Sequence, residues 1–125
     1  MVKRSPDPRF PDRKISVAFM EFSEPILNTL GPDVSEAEIN EALRTSFIVW
    51  NAVVYADAVN DASKLDGFVQ TIAVQPQLAT FVQFMIQRKR ESFGDDHRLI
   101  GEYKMYLRDG EWRLRAEAHD PYTSV

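Results

Sequence analysis

Apolar residues recur every three or four positions over residues 15–30, which is the spacing of one helical face. Pro25 lies inside this stripe and cannot donate a helical hydrogen bond, so the pattern predicts a break or kink near Glu24. Gly31 and Pro32 then predict the end of the helix. The stripe itself consists of Ile15, Phe19, Phe22, Ile26 and Leu30.

The next helix has the clearest start signal in the chain. Ser35 and Glu38 have the spacing of a capping box, in which each side chain bonds the other residue's backbone N–H group. No glycine or proline interrupts residues 36–59, and a strand of that length is rare, so we predict a helix. Residues 47–55 are apolar nearly all round. This central helix should therefore contact neighbours on more than one side.

Two further helices are predicted between the central helix and the C-terminal part of the chain. Residues 61–72 have apolar residues at helical spacing, although Gly67 weakens a helix there. Pro76 suits the first turn of another helix, and Gly94 suits its end. The basic run at residues 88–90 precedes that end, where cations interact favourably with the negative pole of a helix.

The C-terminal part alternates as β-strands do. Residues 99–107 and 112–118 flank Asp109 and Gly110, a favoured two-residue hairpin turn. Pairing across this turn collects most apolar side chains on one face, which must pack on the helices because an isolated hairpin is marginally stable in water. The predicted fold is α+β, with about four helices followed by a C-terminal two-stranded β-hairpin packed on them.

Both histidines of the chain lie beside acidic residues, in the sequences DDH and AHD. The hairpin brings the two segments towards each other at its open end. Asp95, Asp96, His97 and His119 are therefore the candidates for a metal-dependent or general-base enzyme, because carboxylates and imidazoles are suited to both tasks.

The alternation of the strands counts against such a site. The predicted register places Gly101 opposite Ala118 and Ile100 opposite His119. In regular strands His97 would then point inward and His119 outward, so they could share a metal only across a bulge. We therefore interpret these residues as structural, and expect no catalytic site, no metal and no cofactor.

Two polar residues of the central helix are candidates for binding. Asn51 and Asp57 would either line a small-ligand pocket between helices or bond partners within the fold. Arg44 and Lys64 are the only basic side chains in residues 15–87 and could be such partners. We favour the structural interpretation.

Composition narrows the class of protein. A chain of 125 residues suits one domain, and the absence of cysteine excludes disulfide bonds and sites built on sulfur ligands. No apolar run approaches the roughly 18 residues of a membrane-spanning helix, and no signal sequence follows the basic start. We therefore expect a cytoplasmic protein with no membrane association.

The net charge of −4 is unevenly distributed. Residues 1–14 carry five basic and two acidic side chains, residues 15–87 carry two and nine, and residues 88–125 carry eight of each. The acidic body argues against a broad nucleic-acid surface, because phosphates would repel it. Three prolines in the first eleven residues predict a poorly ordered basic arm at 1–14, followed by a single domain at 15–125.

The segments FIVWNAVVYAD and RKRESFGDDHRLIGEYK resemble a family of small uncharacterised bacterial proteins, some of them described as plasmid-related. The resemblance extends over residues 13–121. It implies no activity, cofactor or site, because none is assigned to that family.

The function that we expect is a non-enzymatic cytoplasmic protein-interaction or regulatory domain that forms a homodimer. The surplus of apolar faces and the two free edges of the hairpin favour self-association. The alternatives are the enzyme described above and a nucleic-acid accessory protein that uses the basic arm.

Overall fold

Helices precede a hairpin in the computed structural model, which describes residues 14–72 and 76–119. The helices in this part are α1 (Ile15–Phe22), α2 (Glu24–Leu27), α3 (Glu36–Ala58), α4 (Ala62–Ile72) and α5 (Pro76–Ser92). The strands β1 (Leu99–Arg108) and β2 (Glu111–His119) pair antiparallel. The predicted α+β fold is confirmed. Except for Lys14, the predicted N-terminal arm lies outside the described residues.

The first predicted helix is divided in two, as its proline requires. α1 ends at Phe22, Ser23 follows it, and Pro25 lies in the first turn of α2, where its missing N–H group leaves no helical bond unmade. The N–H group of Ser23 donates to the carbonyl of Phe19 at 3.0 Å and completes the last turn of α1. This division accounts for the extra helix.

α3 lies at the centre of the fold. It contacts each of the other four described helices and β1 of the hairpin. Its predicted capping box is present: Ser35 Oγ accepts from the N–H group of Glu38 at 3.1 Å, and Glu38 Oε1 accepts from that of Ser35 at 3.4 Å. Trp50 is fully buried, and the centre of its ring lies 5.4 Å from that of Phe22 and 5.8 Å from that of Phe93.

The hairpin packs with β1 against α3 and β2 against α1. Tyr103 of β1 joins the layers, because the centre of its ring lies 5.5 Å from that of Phe19 and 5.1 Å from that of Phe47. Phe19 is fully buried, and full burial of such a side chain contributes roughly 1.5–3 kcal/mol to folding. The described helices and the hairpin therefore share one apolar core.

The hairpin turn has the predicted conformation. Asp109 and Gly110 have φ angles of 52° and 78°, the positive values that a type I′ turn requires at both central residues. The predicted register is confirmed from this turn as far as Glu102, with Leu107 opposite Trp112.

At the open end of the hairpin the predicted register is wrong. β1 has a bulge between Ile100 and Glu102, which shifts the pairing by one residue. The shift turns the Ile100 side chain into the core and leaves Gly101 exposed, so the bulge buries a large apolar side chain where a regular strand would place a glycine. The observed pairs are Ile100 with Ala118 and Leu99 with His119.

Replacing Gly110 with valine should lower the free energy of unfolding by about 1–3 kcal/mol, because a β-branched residue is strained at positive φ. The matched control is Asp109→Gly, which introduces a residue that adopts positive φ without strain and should leave stability nearly unchanged. Thermal or urea denaturation measures both. Equal midpoints for Gly110→Val and the natural chain would show that the turn tolerates another conformation.

Candidate functional site

The acidic segment that follows α5 enters the core rather than forming an open cluster. Asp95 is exposed, Asp96 is fully buried and His97 is half-buried. The three neighbours thus have different environments, and only Asp96 lies where its charge must be balanced within the protein.

Arg98 holds the buried carboxylate of Asp96 in a bidentate ion pair. Oδ1 accepts from the guanidinium Nε at 2.8 Å, and Oδ2 accepts from Nη2 at 2.6 Å. Oδ1 also accepts from the backbone N–H group of Arg98 at 3.2 Å. Because a buried charge depends on such a partner, Asp96 could bind a metal ion only by giving up its pairing with Arg98.

Lys89 completes the polar arrangement between α5 and β1. Its side chain is 2% exposed, and Nζ donates to the carbonyls of Phe93 at 2.6 Å and Asp96 at 2.8 Å. The same atom lies 4.4 Å from the centre of the Trp50 ring, whose Nε1–H donates to the Arg98 carbonyl at 2.7 Å. The ammonium group therefore satisfies backbone carbonyls beyond the end of α5 that the helix itself cannot pair.

The basic run predicted to end α5 binds three different parts of the fold. Its first residue, Arg88, donates to the carbonyls of Phe22 at 3.1 Å and Glu21 at 2.6 Å, at the end of α1. Its last residue, Arg90, lies 3.8 Å from the carboxylate of Asp57 on α3. Lys89 and Arg90 lie in the last turn of α5, as predicted, and Arg88 and Arg90 also fasten α5 to its neighbours.

The two histidines differ in exposure, since His97 is half-buried and His119 is exposed. His119 is exposed at the end of β2, and its imidazole lies over Gly101, where an added Cβ would collide with the ring. The bulge that a shared site would need is present, and it places Leu99 opposite His119. Among the described residues, however, no group of three or more His, Cys, Asp or Glu side chains is arranged to hold a metal ion.

Two asparagines of α3 bind the backbone of β1. The amide of Asn51 donates through Nδ2 to the carbonyl of Ile100 and accepts through Oδ1 from its N–H group, both at 2.8 Å. Asn40 makes the same two bonds with Met105, also at 2.8 Å. Each side chain therefore pairs with one residue of the strand as a neighbouring strand would.

These bonds pair the outward backbone groups of β1 at Ile100 and Met105. A side-chain amide offers a donor and an acceptor side by side, which matches the exposed N–H and C=O groups of a strand edge. Glu36 extends the closure, because its Oε1 accepts from the N–H group of Leu107 at 2.9 Å. Asn51 thus bonds the backbone of β1, not Arg44 or Lys64 as the sequence suggested.

Asp57, the other binding candidate on α3, lies near the surface. Its side chain is 46% exposed, and its ion pair with Arg90 joins α3 to α5. Arg44, one of its predicted partners, instead lies 3.8 Å from Glu41 on the same helix. Asn51 and Asp57 therefore act in two separate contacts between elements.

The outer edge of β2 differs from that of β1. Because the backbone groups of Met105 point towards α3, Leu114 opposite it must point its own N–H and C=O groups away from β1. By alternation, Trp112 and Ala116 do the same. Within residues 14–72 and 76–119, no hydrogen bond reaches these outward groups. We call this stretch the open β2 edge.

Apolar surface adjoins the turn end of this edge. Leu107 is 51% exposed beside its partner Trp112. A groove of about 480 Å³ runs from Trp112 and Met105 to the α1–α2 region, where Met20 and Leu27 line it. The open β2 edge thus combines apolar side chains with backbone groups that have no partner in residues 14–72 and 76–119.

No protein-family model, curated protein or solved structure matches this chain. The resemblance to small plasmid-related bacterial proteins therefore stays a prediction. In the described part of the chain, none of the helices has the length and apolar character needed to cross a membrane.

Replacing Asp96 with alanine should lower the free energy of unfolding by about 3 kcal/mol, because Arg98 would lose the partner of a buried ion pair. Asp95→Ala is the matched control, since that neighbour is exposed, and it should change stability by less than about 0.5 kcal/mol. Urea denaturation measures the difference. Similar stability losses for the two variants would contradict the structural role assigned to Asp96.

Replacing Asn51 with alanine should lower the free energy of unfolding by about 2 kcal/mol, because both backbone groups of Ile100 lose their partner. The control is Asn28→Ala, at an exposed asparagine with no side-chain hydrogen bond in the described residues. Hydrogen exchange should also show faster loss of the Ile100 amide proton in the Asn51 variant. An unchanged exchange rate would mean that Asn51 does not close this edge.

Proposed function

We propose that this protein is a non-enzymatic cytoplasmic interaction or regulatory domain that associates with a second copy of itself through the open β2 edge. The observation that carries the proposal is the difference between the two edges of the hairpin. α3 closes the edge of β1 at Ile100 and Met105, while the outward groups of β2 have no partner in the described residues.

An open strand edge is a template for pairing with another strand, since each unpaired N–H and C=O group can form a bond there. The groove and the exposed Leu107 add apolar area beside it. A second copy would supply a matching strand edge, because a two-fold interface uses one patch twice.

The residues considered for chemistry support the same interpretation. Asp96 is bonded by Arg98, Asn51 bonds Ile100, and Asp57 lies 3.8 Å from its partner on α5. The polar groups of these three side chains therefore stabilise contacts within the fold. The cytoplasmic location is supported by the cysteine-free sequence alone.

Light scattering at micromolar concentration tests the proposal, and the expected mass is about twice the chain mass of 14.4 kDa. Ala116→Pro should lower the mass to that of the monomer while the hairpin stays folded, because the N–H group of Ala116 faces outward and no bond to β1 is lost. Arg115→Pro is the control that should damage the hairpin itself, since its N–H group faces β1.

Circular dichroism separates these two effects. A natural chain that stays at 14.4 kDa throughout the concentration range would overturn the proposal. A folded Ala116→Pro variant that keeps the dimer mass would place the interface elsewhere.

A further inference from the structure

We propose that two copies pair their β2 strands antiparallel about a two-fold axis at Arg115, which would join the hairpins into one four-stranded sheet. This inference rests on the proposed self-association and specifies its geometry. It follows from the direction of the backbone groups, the length of the strand and the order of its charges.

The backbone restricts the possible registers. The outward N–H and C=O groups belong to the even-numbered residues Trp112, Leu114 and Ala116, so an even-numbered residue must face an even-numbered residue of the second copy. Any two-fold axis that passes at a residue of β2 satisfies this condition. The remaining registers differ in how much of β2 is paired and in the charges of the residues that face each other.

An axis at Arg115 pairs the whole of β2, Glu111–His119, with itself. Arg113 then lies opposite Glu117 of the second copy, and Glu111 lies opposite His119. Symmetry makes each of these pairs occur twice. Opposite charges on facing residues, as in the two Arg113–Glu117 pairs, stabilise a strand pair, and all these side chains are exposed in the single chain.

The one like-charge pair in this register is Arg115 with its own copy. Glu117 of the second copy lies diagonally across from it, within reach of a long side chain, and offsets the repulsion. On the inner face, Leu114 meets Ala116 of the second copy, so the apolar layer continues across the interface.

Neighbouring registers are poorer. An axis at Leu114 sets Arg113 opposite Arg115 and Glu111 opposite Glu117, which makes every facing charged pair a repulsive one. An axis at Arg113 or at Ala116 leaves part of β2 without a partner strand. The existing contact between Arg113 and Glu111 does not oppose the proposed pairing, because both side chains are at least half exposed.

Single cysteines test the register directly, because the chain contains no cysteine of its own. Residue 115 on the axis would face its copy as a non-hydrogen-bonded pair, with Cα atoms about 4.5 Å apart, a separation that a disulfide spans. Arg115→Cys should therefore form a covalent dimer under mild oxidation. Arg113→Cys and Glu117→Cys are the controls, since each lies about 13 Å from its own copy in this register.

Charge reversal provides an independent test. Arg113→Glu and Glu117→Arg should each raise the dimer dissociation constant by about tenfold, because two attractive pairs become repulsive. Combining the two reversals should restore most of the affinity, since the facing charges are again opposite. Sedimentation of the four proteins over a concentration series measures these constants.

The possible outcomes separate the register from the self-association. If the natural chain dimerises but Arg113→Cys crosslinks as well as Arg115→Cys, or the double reversal restores nothing, the register is wrong and the proposed function stands. A monomeric natural chain would overturn both. Selective crosslinking through residue 115 together with recovery in the double variant supports the register.

Discussion

Two asparagine side chains determine how the hairpin sits on the helices. Asn40 and Asn51 each present an amide to one residue of β1, and their bonds to Met105 and Ile100 align α3 along the strand edge. A strand edge inside a protein must have its backbone groups paired, and here a helix supplies the partners. The orientation of the hairpin, and hence the edge that remains open, follows from this contact.

The bulge in β1 is a consequence of the same contact. Asn51 needs the N–H and C=O groups of Ile100 to point towards α3, and the extra residue at Gly101 turns them that way while burying the Ile100 side chain. The segment before β1 is fastened separately. Asp96 bonds Arg98, and Lys89 bonds the carbonyls beyond α5. These bonds fix where β1 starts.

The sequence predicts those parts of the fold that depend on local chemistry. The capping box at Ser35, the break near Pro25 and the type I′ turn at Gly110 each need only neighbouring residues, and each is confirmed. The bulge and the partners of Asn51 and Asp57 depend on elements far apart in the chain. Periodicity cannot reveal them, because it describes which face is apolar and not which backbone groups meet it.

The same distinction explains the candidate site. The spacing of Asp95, Asp96, His97 and His119 suggested chemistry, whereas the Asp96–Arg98 pair is made by residues two apart whose burial only the fold reveals. The sequence predicted two free hairpin edges and did not reveal that α3 covers the one on β1, since both strands alternate alike. Its openness follows only from knowing which strand α3 covers.

Residue-resolved hydrogen exchange at increasing protein concentration tests whether α3 pairs one edge of the hairpin and a second copy pairs the other. The Ile100 and Met105 amides should be protected at every concentration, because they bond within one chain. The Leu114 and Ala116 amides should be unprotected in dilute solution and gain protection as concentration rises. Leu114 and Ala116 amides that exchange equally fast at all concentrations, or unprotected Ile100 and Met105 amides, would contradict this pairing.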